Sequence, residues 1–181
     1  MRAFIALDLP EALIRPLTRL QAGLSVGRLV EEENLHLTLA FLGEIDPGQA
    51  QEIATRMADL PDAPIELTLT NIDVMGGRKP NLVLMDARPT PELVTLHVRV
   101  TRLAREAGVT MERRRFRPHV TLARFPRQMS DKDHRGLDAF LRLNAPYALP
   151  TEVADSVSLN RSHLREDGAY YEPLAEFLLT G

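Results

Sequence analysis

The sequence predicts an α+β fold made of two pseudo-symmetric halves, a bilobal molecule. Each half is expected to carry an antiparallel sheet lining a central cleft, with helices outside. Three observations lead there. Short alternating apolar runs take turns with amphipathic stretches of helical period along the whole chain. No low-complexity segment or flexible linker divides them. One pattern, His-x-Thr inside an apolar run, occurs twice, at His36 and at His119, 83 residues apart. At 181 residues the chain fits one compact domain, 1–181, of two interleaved lobes.

Taken in order, 2–8 reads as a buried strand closed by Leu9-Pro10. From Glu11 to about Gly23, Leu13, Ile14, Leu17, Leu20 and Leu24 follow helical spacing despite Pro16. Residues 35–43 form the first His strand, 43–47 a turn and 48–60 a second helix. Clean alternation over 65–70 predicts a strand running on through Ile72 and Val74 to Gly76-Gly77. A loop over 78–81 precedes a strand over 82–85. Thr90-Pro91-Glu92 suits the first turn of a helix reaching about Gly108. The second His strand spans 118–124. Ser130 and Asp131 are cap candidates for a helix to Leu143. Two alternating runs, 153–159 and 170–179, close the chain around an Asp167-Gly168 hairpin turn.

Composition narrows the chemistry. Cysteine is absent, which removes disulfides, thiolate nucleophiles and cysteine-ligated metals. No signal pattern and no run long enough to span a bilayer is present, so a cytoplasmic protein with no membrane association is expected. A net charge of −3 gives no overall pull towards nucleic acid, yet Arg113-Arg114-Arg115-Phe116-Arg117 leads straight into the second His strand. Arginine's planar fork suits phosphate oxygens, so a local patch on a weakly acidic chain fits a small anion or one RNA end.

Strand alternation puts His36, Thr38 and Ala40 on one face and Leu35, Leu37, Leu39 and Phe41 on the other; His119, Thr121 and Ala123 repeat this against Val120 and Leu122. One His-x-Thr is weak, but two copies of matched polarity, one per half, are not. Two imidazoles on one cleft suit paired general acid and general base, because histidine titrates near neutrality. The threonine hydroxyls, about 6.6 Å further along each strand, suit the non-bridging oxygens of a phosphate between the rings. His97, His134 and His163 lack such a context and read as structural or exposed, in an amphipathic helix, a polar helix start and a turn. No third ligand stands at zinc-binding spacing, so no metal or other cofactor is expected.

The paired strands resemble the 2H phosphoesterase superfamily, and within it the RNA 2′,3′-cyclic phosphodiesterases, also called 2′-5′ RNA ligases. The resemblance rests on 2–10, on Asn34 to Gly43, on Pro118 to Arg124 and on the closing Ser162 and Gly168 to Leu174, and so covers essentially the whole chain. It implies metal-independent opening of a 2′,3′-cyclic phosphate to a 2′-phosphate. His36 would protonate the departing 3′-oxygen, His119 would activate water, and Thr38 and Thr121 would hold the phosphate. Phe4 and Arg124 match family positions that hold the nucleobase, although strand parity puts Arg124 opposite His119 unless the strand twists or bulges. Arg115 and Arg117 share parity with His119 and are candidates for further RNA phosphates. Tryptophan is absent, and Met75, Asn81 and Leu84 stand where relatives carry other residues, an aromatic and Arg and Trp among them, which leaves base preference open. The expected partners are RNA ends or nucleotides with a 2′,3′-cyclic phosphate, and the expected state is a monomer. Two alternatives remain: a 2′-5′ oligonucleotide phosphodiesterase or ligase, and a non-catalytic RNA-end binding module.

Overall fold

The structure, a computed structural model, describes residues 1–60, 63–112, 115–165 and 168–180. Arg113, Arg114 and Asp167, which carry part of the arginine run and of the expected hairpin turn, lie outside these. In chain order the elements are β1 (Arg2–Asp8), α1 (Glu11–Ala22), β2 (Arg28–Leu29), a 3₁₀ turn (Glu32–Asn34), β3 (His36–Glu44) and α2 (Pro47–Met57). There follow β4 (Ile65–Leu67), β5 (Leu69–Met75), β6 (Leu82–Ala87), α3 (Pro91–Glu106), β7 (His119–Arg124), α4 (Asp131–Asn144), β8 (Glu152–Ala154), β9 (Ser156–Arg165) and β10 (Gly168–Leu178).

Local chemistry accounts for the helix starts. Asp46 and Ser130 each close a capping box, with Gln49 and Asp133 reaching back, and Thr90 caps α3 ahead of Pro91. Each device satisfies main-chain N–H groups that a helix start leaves without partners.

The strands pair antiparallel in the order β10-β9-β1-β3-β7-β6-β5, with β2 added to β7. Among the described residues, the ladder between β3 and β7, where the two halves of this sheet join, pairs Leu37 with Val120. On either side of that pair β3 and β7 diverge, which opens the cleft. Helices cross between the halves: α1, which follows β1, packs on β7, while α3, which follows β6, packs on β3. Leu13, Leu17, Leu93, Leu96 and Val100 carry the helix side of the core against Ile5, Leu7, Leu37 and Val120.

Three details differ from the sequence reading. The predicted strand from 65 onwards is two, because β4 leaves the main sheet to pair with β8, and Thr68 at the break bonds Thr151 through their hydroxyls at 2.6 Å. The run expected over 153–159 divides likewise into β8 and β9, and His163 lies within β9 instead of at a turn. Phe41, expected on the apolar face, is 60% exposed. Opposite β1, Thr38 faces Ala6 and Ala40 faces Ile5, so Leu39 is an unpaired bulge residue that reverses the alternation beyond it.

Candidate active site

His36 and His119 open their strands two residues after a main-chain carbonyl that each ring grips. The Nδ1–H of His36 donates to Asn34 O at 2.7 Å, and that of His119 donates to Arg117 O at 2.7 Å. With Nδ1 so engaged, each neutral ring is held as the tautomer whose Nε2 carries the lone pair. In the first half that Nε2 lies 2.9 Å from Thr38 Oγ1, so the hydroxyl donates to it. Extending the register from Leu37 and Val120 by one residue sets His36 across from Thr121 and Thr38 across from His119. The two histidines then lie on a diagonal of the β3–β7 contact, on the two sides of the cleft.

Burial moves both rings away from the charged form. The His36 pKa is pushed down to about 4, first by desolvation, opposed by the bond to Asn34 and assisted by the charges of Arg124 and His119. The His119 pKa is also lowered, first by desolvation and then by Arg117 and Arg124, while the Arg117 carbonyl and the Asp86 carboxylate pull it up. Both histidines thus sense Arg124, which ties the two halves into one electrostatic site.

Aspartates oppose both histidines across the strand pairs, Asp8 opposite His36 and Asp86 opposite His119. Their surroundings differ. Arg117 donates to Asp86 through Nε at 2.8 Å and Nη2 at 2.9 Å, and the same Nη2 donates to Asp73 at 2.6 Å. That arginine holds the Asp73 pKa below the usual carboxylate range. Asp8 instead accepts from the hydroxyls of Ser156 and Ser158, and burial raises its pKa. Among the described residues no three His, Cys, Asp or Glu side chains converge as a metal-ligand set.

The LigT-like phosphoesterase family model matches residues 7–85, from the end of β1 through the first His strand to β6. An RNA 2′,3′-cyclic phosphodiesterase of Escherichia coli K12 is 31% identical over 127 residues, covering 68% of this chain and 71% of its own. One from Archaeoglobus fulgidus is 26% identical over 181 residues, covering 98% and 99%. The structure of E. coli LigT complexed with NADP+ superposes with a TM-score of 0.76 at 26% identity, over 99% of this chain and 98% of that one. The chain belongs to the LigT-like phosphoesterase family.

Arg124 resolves the parity difficulty in this LigT-like phosphoesterase. Opposite β6, Thr121 faces Leu84 and Ala123 faces Val83, so Leu122 is the unpaired residue and Arg124 returns to the face of His119. The bulge is the counterpart of that at Leu39, which makes Phe41 the positional equivalent of Arg124. Both bulge carbonyls are bonded by a helix of the other half: His97 Nδ1–H donates to Leu39 O at 2.8 Å, and Gln21 Nε2 donates to Leu122 O at 2.8 Å. Arg124 lines a hollow of about 320 Å³ with Asn34, Tyr170 and Tyr171.

Phe4 sits directly against the first histidine. It is 5% exposed, stacks on the His36 ring with centroids 4.8 Å apart, and meets the edge of Tyr171 at 4.8 Å. It packs against His36 and also lines the cavity that opens beside that ring. Arg117 is clamped by two carboxylates beside His119, and Arg115 is exposed. Tyr171 and Asp8 were missed as site residues. Tyr171 falls within the closing family-like segment, but only pairing of β10 with β9 and of β9 with β1 brings it near His36, while Asp8 meets His36 through the pairing of β1 with β3.

Proposed function

We propose that this protein hydrolyses RNA 2′,3′-cyclic phosphates to 2′-phosphates by paired histidine acid–base catalysis that needs no metal ion. One observation carries the reading. Two imidazoles from different halves are held by the same device, Nδ1 on the carbonyl two residues back, which leaves Nε2 as the nitrogen for chemistry, that of His36 meeting the hydroxyl of Thr38. A binding module needs phosphate donors but has no use for two titratable groups so matched.

In the proposed reaction the cyclic phosphate lies between the rings, with Thr38 and Thr121 donating to its non-bridging oxygens. His119 takes a proton from water as the water oxygen bonds phosphorus. The bond from phosphorus to O3′ breaks, and His36 gives its proton to that oxygen, leaving the 2′-phosphate. The mirrored geometry supports the exchange of roles equally well, and reverse 2′-5′ ligation would use that exchange with no added residue. The anionic phosphate stabilises the imidazolium that a dry, empty cleft disfavours. The names of the relatives and the E. coli LigT complex with 3′-AMP support nucleotide or RNA-end substrates.

Incubation with nucleoside 2′,3′-cyclic phosphates in EDTA, with identification of the product, tests this. A 2′-phosphate should form, and His36→Ala and His119→Ala should each lower kcat/KM by at least about 100-fold. Because both free-enzyme pKa values lie below 6.5, the kcat/KM profile should be a bell centred on the acid side of that value. A flat profile from pH 5 to 9, or a 3′-phosphate product, would sink the mechanism.

A further inference from the structure

Strand register sets a carboxylate beside each imidazole of the cleft, Asp8 beside His36 and Asp86 beside His119. A carboxylate in that position ordinarily grips the ring and favours its charged form. In both halves it is taken by other donors. Asp8 accepts from Ser156 Oγ at 2.9 Å and from Ser158 Oγ at 2.6 Å. Asp86 gives both oxygens to one guanidinium, with Arg117 Nε on Oδ1 at 2.8 Å and Nη2 on Oδ2 at 2.9 Å. This two-point fork is among the firmest ways to occupy a carboxylate.

Arg117 is itself held from a second side. Its Nη2 also donates to Asp73 Oδ2 at 2.6 Å, so β5 and β6 each supply a carboxylate that fixes it. The carbonyl of the same residue accepts the Nδ1–H of His119 at 2.7 Å. One residue thus holds the ring by its main chain and the neighbouring carboxylate by its side chain. The cluster carries one positive and two negative charges, and so attracts a phosphate less than an arginine alone would.

The surroundings of His119 are mixed in charge. Burial disfavours its protonation first; the Arg117 carbonyl favours it, the Arg117 charge opposes it, the Asp86 carboxylate favours it and Arg124 opposes it. His36 faces it across the β3–β7 contact, and Arg28 of β2 stands opposite Arg124. The residues that α1 buries against β7 are uncharged.

We propose that Arg117 is a positioning residue for His119: its guanidinium engages the Asp86 carboxylate that would otherwise grip the imidazole, which keeps the ring neutral and ready to take a proton, while its carbonyl fixes the tautomer. The proposal rests on the reading of His119 as one member of an acid–base pair. It gives Arg117 a duty at the histidine instead of at an RNA phosphate.

Titration of the five histidine rings by nuclear magnetic resonance in the intact protein tests this without substrate, the His119 signal being assigned by its loss in His119→Gln. In Arg117→Gln the freed carboxylate should raise the His119 midpoint by about one pH unit or more, as an opposite charge within reach of a ring does. In Asp86→Asn, which keeps the shape and removes the charge, the midpoint should fall below that of the unaltered protein. Asp73→Asn leaves the Asp86 fork in place and should move it less than either. A role in folding alone would not shift one midpoint in opposite directions. Shifts of the same sign in Arg117→Gln and Asp86→Asn, or a midpoint unmoved in both, would overturn the proposal. If Arg117→Gln does not fold, a midpoint that Asp86→Asn raises or leaves in place is enough to overturn it. Opposite shifts in a protein that leaves cyclic phosphates intact would support Arg117 at the ring and count against the phosphodiesterase alone. Turnover with unmoved midpoints would count against the role of Arg117 alone.

Discussion

An imidazole whose Nδ1 hydrogen is committed to a main-chain carbonyl has one nitrogen left for chemistry, and His36 and His119 are both in that state. For His36 the cost of charging appears in stability as well as in catalysis. Folded His36 titrates at about 4 against an ordinary 6.5, so the unfolded chain binds its proton more readily. Its contribution is therefore complete above pH 6.5 and is lost as pH falls from 6.5 to 4, by up to about 3 kcal/mol. Urea unfolding of the wild type and of His36→Phe, followed from pH 7 to pH 4, should show a shallower acid decline in the variant. Parallel curves would exclude this account. At this scale the His and Thr pair was legible, because strand alternation alone places them. The support of His36 by Phe4 was not, since ring stacking between β1 and β3 depends on their register.

At the scale of elements, an inserted residue three positions after each histidine, Leu39 and Leu122, decides where the next side chains go; β3 has a second irregularity at Leu42. Simple alternation runs correctly from His36 to Leu39 and from His119 to Leu122, then fails by one position in both strands. Phe41 was misplaced and Arg124 left in difficulty for the same reason: a bulge is a property of two paired strands, and one strand's residues do not reveal it. The bulge carbonyls explain two polar residues on otherwise apolar helix faces, Gln21 of α1 and His97 of α3. Removing either donor leaves a buried acceptor short of a partner, but not equally. Leu122 O keeps a second donor in Val30 N–H, whereas His97 is the donor to Leu39 O and also stacks on Phe116, centroids 3.8 Å apart. His97→Leu should cost about 1–3 kcal/mol and Gln21→Leu less, read as shifts in the urea midpoint. Equal losses would mean that bulk alone matters at these positions.

Over the whole molecule, the sequence predicted the α+β class and nearly all the elements correctly, because periodicity and capping residues are local signals. Thr90, Pro91 and Ser130 do in the structure what their chemistry suggests. The pairing of β4 with β8, the return of β9 and β10 to β1, and the crossing of helices between halves were not legible, since each joins residues far apart in the chain. Those long-range pairings bring Asp8, Ser158, Asn160 and Tyr171 around one cavity.

The crossing of the helices has a consequence for a protein cut in two. A break in the exposed loop at Arg88-Pro89 parts β1 from β9, β3 and β6 from β7, β4 from β8, α1 from β7 and α3 from β3. Each fragment would lack the surfaces its own strands and helices bury, so neither should show cooperative melting by itself. Mixed at equal concentration, fragments 1–88 and 89–181 should reassemble into a cleft with both histidines, detected as recovered circular dichroism and a one-to-one complex. A fragment that folds unaided would show that the mutual bracing is dispensable.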